Sequence, residues 1–143
     1  MQEQTIRGDG YTFSAPKGWK VERSSRELRA SHGLELVSVE RFRLLRVYRP
    51  QLWPKVVPEL DRAADTVAAQ QRGTVTDRRT VTISGLQARR YDIEYEHQGK
   101  ALVERIAFVL KGKAESLLLC RYERGGATGA CDGLLSSFRL AAA

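Results

Sequence analysis

Between residues 74 and 122 the chain sets strand-length runs end to end, with only short turn signals between them. Parallel pairing needs a crossover of a dozen or more residues, so runs joined this closely form an antiparallel meander. In the clearest run Tyr91, Ile93 and Tyr95 alternate with Arg90, Asp92, Glu94 and Glu96. That period of two marks a strand with one face in the core and the other in water. Ser84-Gly85, His97-Gln98-Gly99-Lys100 and Lys111-Gly112-Lys113 read as the turns. Leu102, Ile106, Phe108 and Leu110 carry the return strand, and a last strand is expected over residues 116–122.

Upstream, Tyr11-Thr12-Phe13-Ser14-Ala15-Pro16 reads as a strand, and Gly18-Trp19-Lys20-Val21 resumes an extended pattern after a turn. Residues 27–45 stay β-prone with a hairpin break at His32-Gly33, which places a middle strand over residues 34–44. Residues 48–54 are expected to be a loop, because Pro50 and Pro54 deny the backbone donors a regular element requires. A helix follows: Val56, Val57, Leu60, Ala63, Ala64, Val67 and Ala68 recur at three- and four-residue spacing, and Arg72-Gly73 ends it. A second helix takes Cys131, Leu134, Leu135 and Phe138 inward, with Thr128 as its expected N-cap and three alanines fraying after it. The expected fold class is α+β, an antiparallel meander covered by helices.

The chain has 143 residues and a mass of 16.1 kDa, the size of one domain over residues 1–143. Its 24 Lys and Arg outnumber 17 Asp and Glu, giving a net charge of +7. The arginines are scattered along the chain with acids nearby, whereas a nucleic-acid reader gathers its charge into a stripe or tail. The charge therefore reads as a solvated surface, and no specific nucleic-acid binding is expected. No run approaches the length of a membrane helix, so no transmembrane segment is expected. Met1 is followed by Gln2-Glu3-Gln4, so a secretory signal is expected to be absent or already removed.

Candidate chemistry is sparse. His32 and His97 sit in turns with no orienting partner in view, so neither suits a catalytic triad. Asp92, Glu94 and Glu96 share a strand face and Arg105 lies on the partner strand, an ordinary cross-strand pairing. The loop Arg124-Gly125-Gly126-Ala127-Thr128-Gly129 lacks the lysine of a Walker loop and reads as a connection. Cys120 and Cys131 cannot make a four-ligand zinc site alone. They form either a disulfide or two buried thiols; the disulfide is placed first because Cys120 ends an apolar strand and Cys131 faces inward from the helix. No catalytic residue, metal or cofactor is expected.

Leu44, Leu45, Val47, Tyr48, Leu52 and Trp53 surround the prolines, interleaved with Arg43, Arg46 and Arg49. Trp and Tyr are enriched at binding hot spots. Arg46, Tyr48, Arg49, Leu52 and Trp53 are the expected partner surface, with Trp53 its anchor and Trp19 a core residue. The same stretch could instead cap the core.

The segment at residues 11–19 (YTFSAPKGW), the helix before a Gly, the run at residues 83–91 (ISGLQARRY), and Leu119-Cys120-Arg121 followed by Cys131 and Ser136-Ser137-Phe138-Arg139 resemble PsbP-like domains. The resemblance covers nearly the whole chain and rests on order and spacing. It implies an α/β/α sandwich around an antiparallel sheet, and a family that mostly binds proteins and carries no catalytic motif. The expectation is a non-enzymatic binding or assembly module, extracytoplasmic in a bacterium. The alternatives are a cytoplasmic adaptor or chaperone cradling an apolar segment of a client, and a small ligand-binding protein or enzyme whose cleft the sequence hides.

Overall fold

The computed structural model describes residues 2–141. Strands β1 (Glu3–Gly8), β2 (Tyr11–Pro16), β3 (Lys20–Arg23), β4 (Glu27–His32) and β5 (Glu35–Tyr48) precede a 3-10 turn at Pro50–Leu52 and helix α1 (Trp53–Gln70). Then follow β6 (Thr74–Ile83), β7 (Leu86–His97), β8 (Lys100–Glu123), α2 (Gly129–Ser137) and β9 (Arg139–Leu140). The main sheet is antiparallel in the order β3-β4-β5-β8-β7-β6, and β1-β2-β9 form a second, small sheet.

The β8 run is not straight. Extended, its 24 residues would span about 80 Å at ~3.3 Å per residue. Yet the Arg124 amide donates to the Ala101 carbonyl at 2.9 Å, so the two ends are neighbours. The run doubles back at Lys111-Gly112-Lys113, where Gly112 has φ +59°. A glycine with positive φ at the first of two loop residues fits a type II′ hairpin. The first arm then pairs with β7 and the second with β5, as the register records. The expected turn is present, and the meander runs through it.

Residues 102–110 are buried on both faces, as the innermost strand of a covered sheet must be. Leu102, Ile106, Phe108 and Leu110 pack under α1 with Tyr91, Ile93 and Leu60. Ala107 and Val109 face the other way, toward Phe13, Leu134 and Phe138. The sandwich therefore has α1 as one outer layer, and α2 together with the small sheet as the other. The Cys120–Cys131 disulfide, with Cα atoms 5.4 Å apart, ties α2 to the second arm of β8.

Several expectations are corrected. Residues 48–54 are not a loop: β5 runs to Tyr48, the 3-10 turn follows, and α1 opens at Trp53 with Pro54 in its first turn, where a missing amide proton costs nothing. β1 was not foreseen, since only Ile6 of its six residues is buried. Nor was β9, which is two residues long. Thr128 holds the N-cap position but its hydroxyl reaches Asp132 rather than a backbone amide. Ala63 is exposed, facing away from the core. The charged face of β7 is not simply wet: Arg105 is 8% exposed there and binds Asp92 at 2.9 Å. Of the three closing alanines, Ala142 and Ala143 lie outside the described residues.

Candidate functional site

The expected partner stretch divides between surface and core. β5 pairs with β4 only as far as Glu40, and with β8 through Arg43 and again at Tyr48. Among the described residues, 44–47 therefore have no ladder partner on either side. Four residues of β5 here stand opposite the single Lys113 of β8, a wide bulge that makes an arch in the strand, and Leu45 is 99% exposed. Val47 and Leu52 are exposed beside it.

Between this arch and the first turns of α1 runs a groove of about 450 Å³. Its walls include Leu44, Val47 and Tyr48 on one side and Leu52, Val56 and Leu60 on the other. Phe108 and Leu110 contribute apolar surface from β8, while Arg46, Lys55 and Glu59 give it charge. Glu115, from the second arm of β8, also lines it, and burial raises its carboxyl above the ordinary range. Burial likewise raises the Tyr48 phenol.

Of the stretch expected to meet a partner, Arg46, Tyr48 and Leu52 line the groove. Arg49 is exposed but does not line it. Trp53 is corrected: it is 9% exposed and packs in the core under α1. The reason is that Pro54 starts a helix rather than extending a loop, so the Trp53 side chain turns inward with Leu60, Ala64 and Ala68. Trp19, expected in the core, is only partly buried and stacks on His32 at 6.1 Å between ring centroids.

The α1 wall is fixed by polar contacts on its inner face. Asp61 accepts from Arg89 Nε at 3.0 Å and from the Tyr91 hydroxyl, with Arg78 Nη1 at 3.8 Å. Burial pushes the Asp61 carboxyl up, but the hydrogen bonds from Arg89 and Tyr91 outweigh it and hold it below the usual range. Burial and the Asp61 carboxylate together raise the Tyr91 phenol strongly. Arg89 and Arg78 also lie over the Tyr91 ring at 5.8 and 6.0 Å. A wall held this way does not need the groove to be filled in order to stay in place.

His32 and His97 are exposed at the ends of their strands. Glu94 pairs with Arg124 at 2.9 Å and Asp92 with Arg105, the cross-strand and neighbour pairing of a structural face. Among the described residues no group of three or more His, Cys, Asp or Glu is placed to hold a metal ion. Among the described residues no helix is long and apolar enough to cross a membrane.

Sequence reasoning missed the groove's contribution from β8. Phe108, Leu110 and Glu115 are remote in sequence from residues 44–60, and only the hairpin at Gly112 brings them under the arch. Phe108 and Leu110 carried a core signal, which they satisfy; nothing local marks Glu115.

The fold is shared with proteins of bacteria. No family model matches the chain, and no curated protein matches it in sequence. A solved structure from Bacteroides thetaiotaomicron superposes with a TM-score of 0.72 at 11% identity, over 99% of this chain and 50% of that one. The chain thus spans about half the length of that protein. LpqN of Mycobacterium tuberculosis, described as involved in cell envelope biogenesis, superposes with a TM-score of 0.51 at 12% identity, over 99% of this chain and 91% of LpqN. At these identities the likeness is one of fold: an α+β sandwich built on antiparallel sheets.

Proposed function

We propose that this chain is a non-enzymatic protein-binding module of the PsbP-like type, working outside the cytoplasm, and that the groove beside α1 receives an extended apolar segment of its partner. The arch at residues 44–47 carries the proposal, because it offers unpaired strand backbone and exposed apolar side chains in one place. A partner strand can add to such an edge through main-chain hydrogen bonds while its side chains enter the groove. Covering a fully exposed Leu side chain contributes about 1.5–3 kcal/mol, enough for Leu45 alone to matter to affinity. The buried disulfide and the involvement of LpqN in cell envelope biogenesis support the extracytoplasmic setting.

The alternative is a cytoplasmic adaptor that cradles an apolar segment of a client. It uses the same groove and differs only in compartment.

A photo-reactive residue placed at Leu45 tests the proposal in the native host. The control is the same residue at Gln87, exposed on β7 and outside the groove. A discrete protein adduct at Leu45, absent at Gln87 and lost on Leu52→Asp, is the expected result. Equal labelling at the two positions would remove the groove from consideration.

A further inference from the structure

A second concavity lies at the other side of the β5 arch, where the β1–β2 and β3–β4 turns approach residues 41–43 and the Lys111-Gly112-Lys113 hairpin. It measures about 720 Å³. Arg23, Arg26, Arg41, Arg43 and Lys113 line it against two carboxylates, Asp9 and Glu27. Glu27 is already engaged by Arg29 at 3.3 Å. None of the five cations takes part in an ion pair among the described residues.

Three of the five are held in place without being neutralised. Arg41 Nη1 donates to the Asp9 carbonyl at 3.3 Å, and its guanidinium lies 5.5 Å from the centre of the Tyr11 ring. Arg26 lies 5.5 Å from the centre of the Phe42 ring. Arg23 Nη1 donates to the Arg7 carbonyl at 3.0 Å. The Tyr11 ring is itself seated across Gly8, where a methyl group would come within 2.2 Å of a ring carbon. The Arg41 Nε–H is buried and has no partner among the described residues. A buried donor left unmade costs about 1–3 kcal/mol. Arginines already anchored on aromatic rings and carbonyls lose little further entropy when their remaining donors are engaged.

We propose that this cleft binds phosphate groups. A carboxylate brings one charge and two acceptor oxygens, whereas a phosphate monoester brings nearly two charges and three acceptors, which suits an excess of cations arranged as planar forks. The same monoester chemistry arrives either on a soluble phosphorylated molecule or on phosphatidic acid in a membrane. The cleft does not depend on the partner groove, since the two share no lining residue.

The test uses inorganic pyrophosphate by calorimetry, and vesicles of phosphatidic acid in phosphatidylcholine by co-sedimentation. Arg43→Glu/Lys113→Glu reverses two exposed cleft charges, and Arg49→Glu/Arg62→Glu makes the same change in net charge outside it. Binding weakened about tenfold or more by the cleft pair, and within about twofold of wild type in the control pair, is expected. Loss confined to pyrophosphate identifies a soluble ligand, and loss confined to vesicles identifies a headgroup. Equal weakening by both pairs would mean that net charge alone attracts the probe, and failure of the unaltered protein to bind either probe would equally overturn the site.

Discussion

The groove and the cleft flank the same strand and are built in opposite ways. On one side of residue 43, β5 gives Arg41, Phe42 and Arg43 to the cleft; on the other, it gives residues 44–48 to the groove. The groove exposes large apolar side chains beside a helix locked to the sheet by Asp61, Arg89 and Tyr91. The cleft exposes cations seated on aromatic rings and carbonyls. In each case rigid support lies behind a group whose own bonding is incomplete. Groups left incomplete on a firm base are what a preformed binding surface requires, because the ordering cost has been met in folding.

The sharpest way to break this contrast is to truncate on either side of the surface boundary. Trp53→Ala should cost about 3–5 kcal/mol in chemical denaturation, since it empties a core position under α1. Leu45→Ala should stay within about 0.5 kcal/mol of wild type. Comparable losses at the two positions would show the arch to be part of the core.

Reduction of Cys120–Cys131 should cost about 3 kcal/mol in the chain-entropy account of a short closed loop. The loss should appear first as faster amide exchange in α2, on the face away from the groove. Exchange that rises first in α1 would contradict the layer assignment.

Acid titration separates the two kinds of carboxyl. Asp61 is depressed in the folded state, so its contribution is full above the unfolded carboxylate value, about 3.9, and is lost as pH falls through the lower folded value. Glu115 is raised, so its contribution is full below the unfolded value and is lost as pH rises through the higher folded one. Asp61→Asn should therefore destabilise at pH 7, and Glu115→Gln should stabilise there. Denaturation at pH 7 and again near pH 4 checks both signs.

The smallest effect concerns the end of α1. The Gly73 amide reaches the Ala68 carbonyl at 2.8 Å and the Arg72 amide reaches Ala69 at 3.1 Å, a Schellman closure with Arg72 at φ +56°. Arg72→Gly should stabilise by a few tenths to about 1 kcal/mol, by relieving a left-handed conformation. Gly73→Ala should do the reverse, because its new methyl would meet the Glu94 carbonyl at 2.6 Å.

How far the amino-acid sequence reveals each feature follows from how local that feature is. The meander was legible because alternation and turn chemistry are both short-range: Ser84-Gly85 and Gln98-Gly99 adopt the paired positive φ that tight hairpins need. Arg46 and Leu52 were legible as surface because the arch and α1 adjoin in the chain, whereas Tyr48 is half-buried against the core. Trp53 was misread because two nearby prolines signal a loop as readily as a helix start, and only the helix register turns the ring inward. The cleft was invisible because residues 23, 26, 41, 43 and 113 are brought together by long-range strand pairing. Scattered arginines in the chain become a cluster only once the hairpins close.

Residues 44–47 are proposed as a strand edge that receives a partner strand. Amide hydrogen exchange across those residues, measured in the protein alone and in the adduct cross-linked at Leu45, tests it most directly. Fast exchange in the protein alone and marked slowing in the adduct are predicted, because an added strand would supply acceptors for the unpaired amides. Equal rates in the two states would contradict strand addition, and slow exchange before any partner is bound would show that the edge was never open.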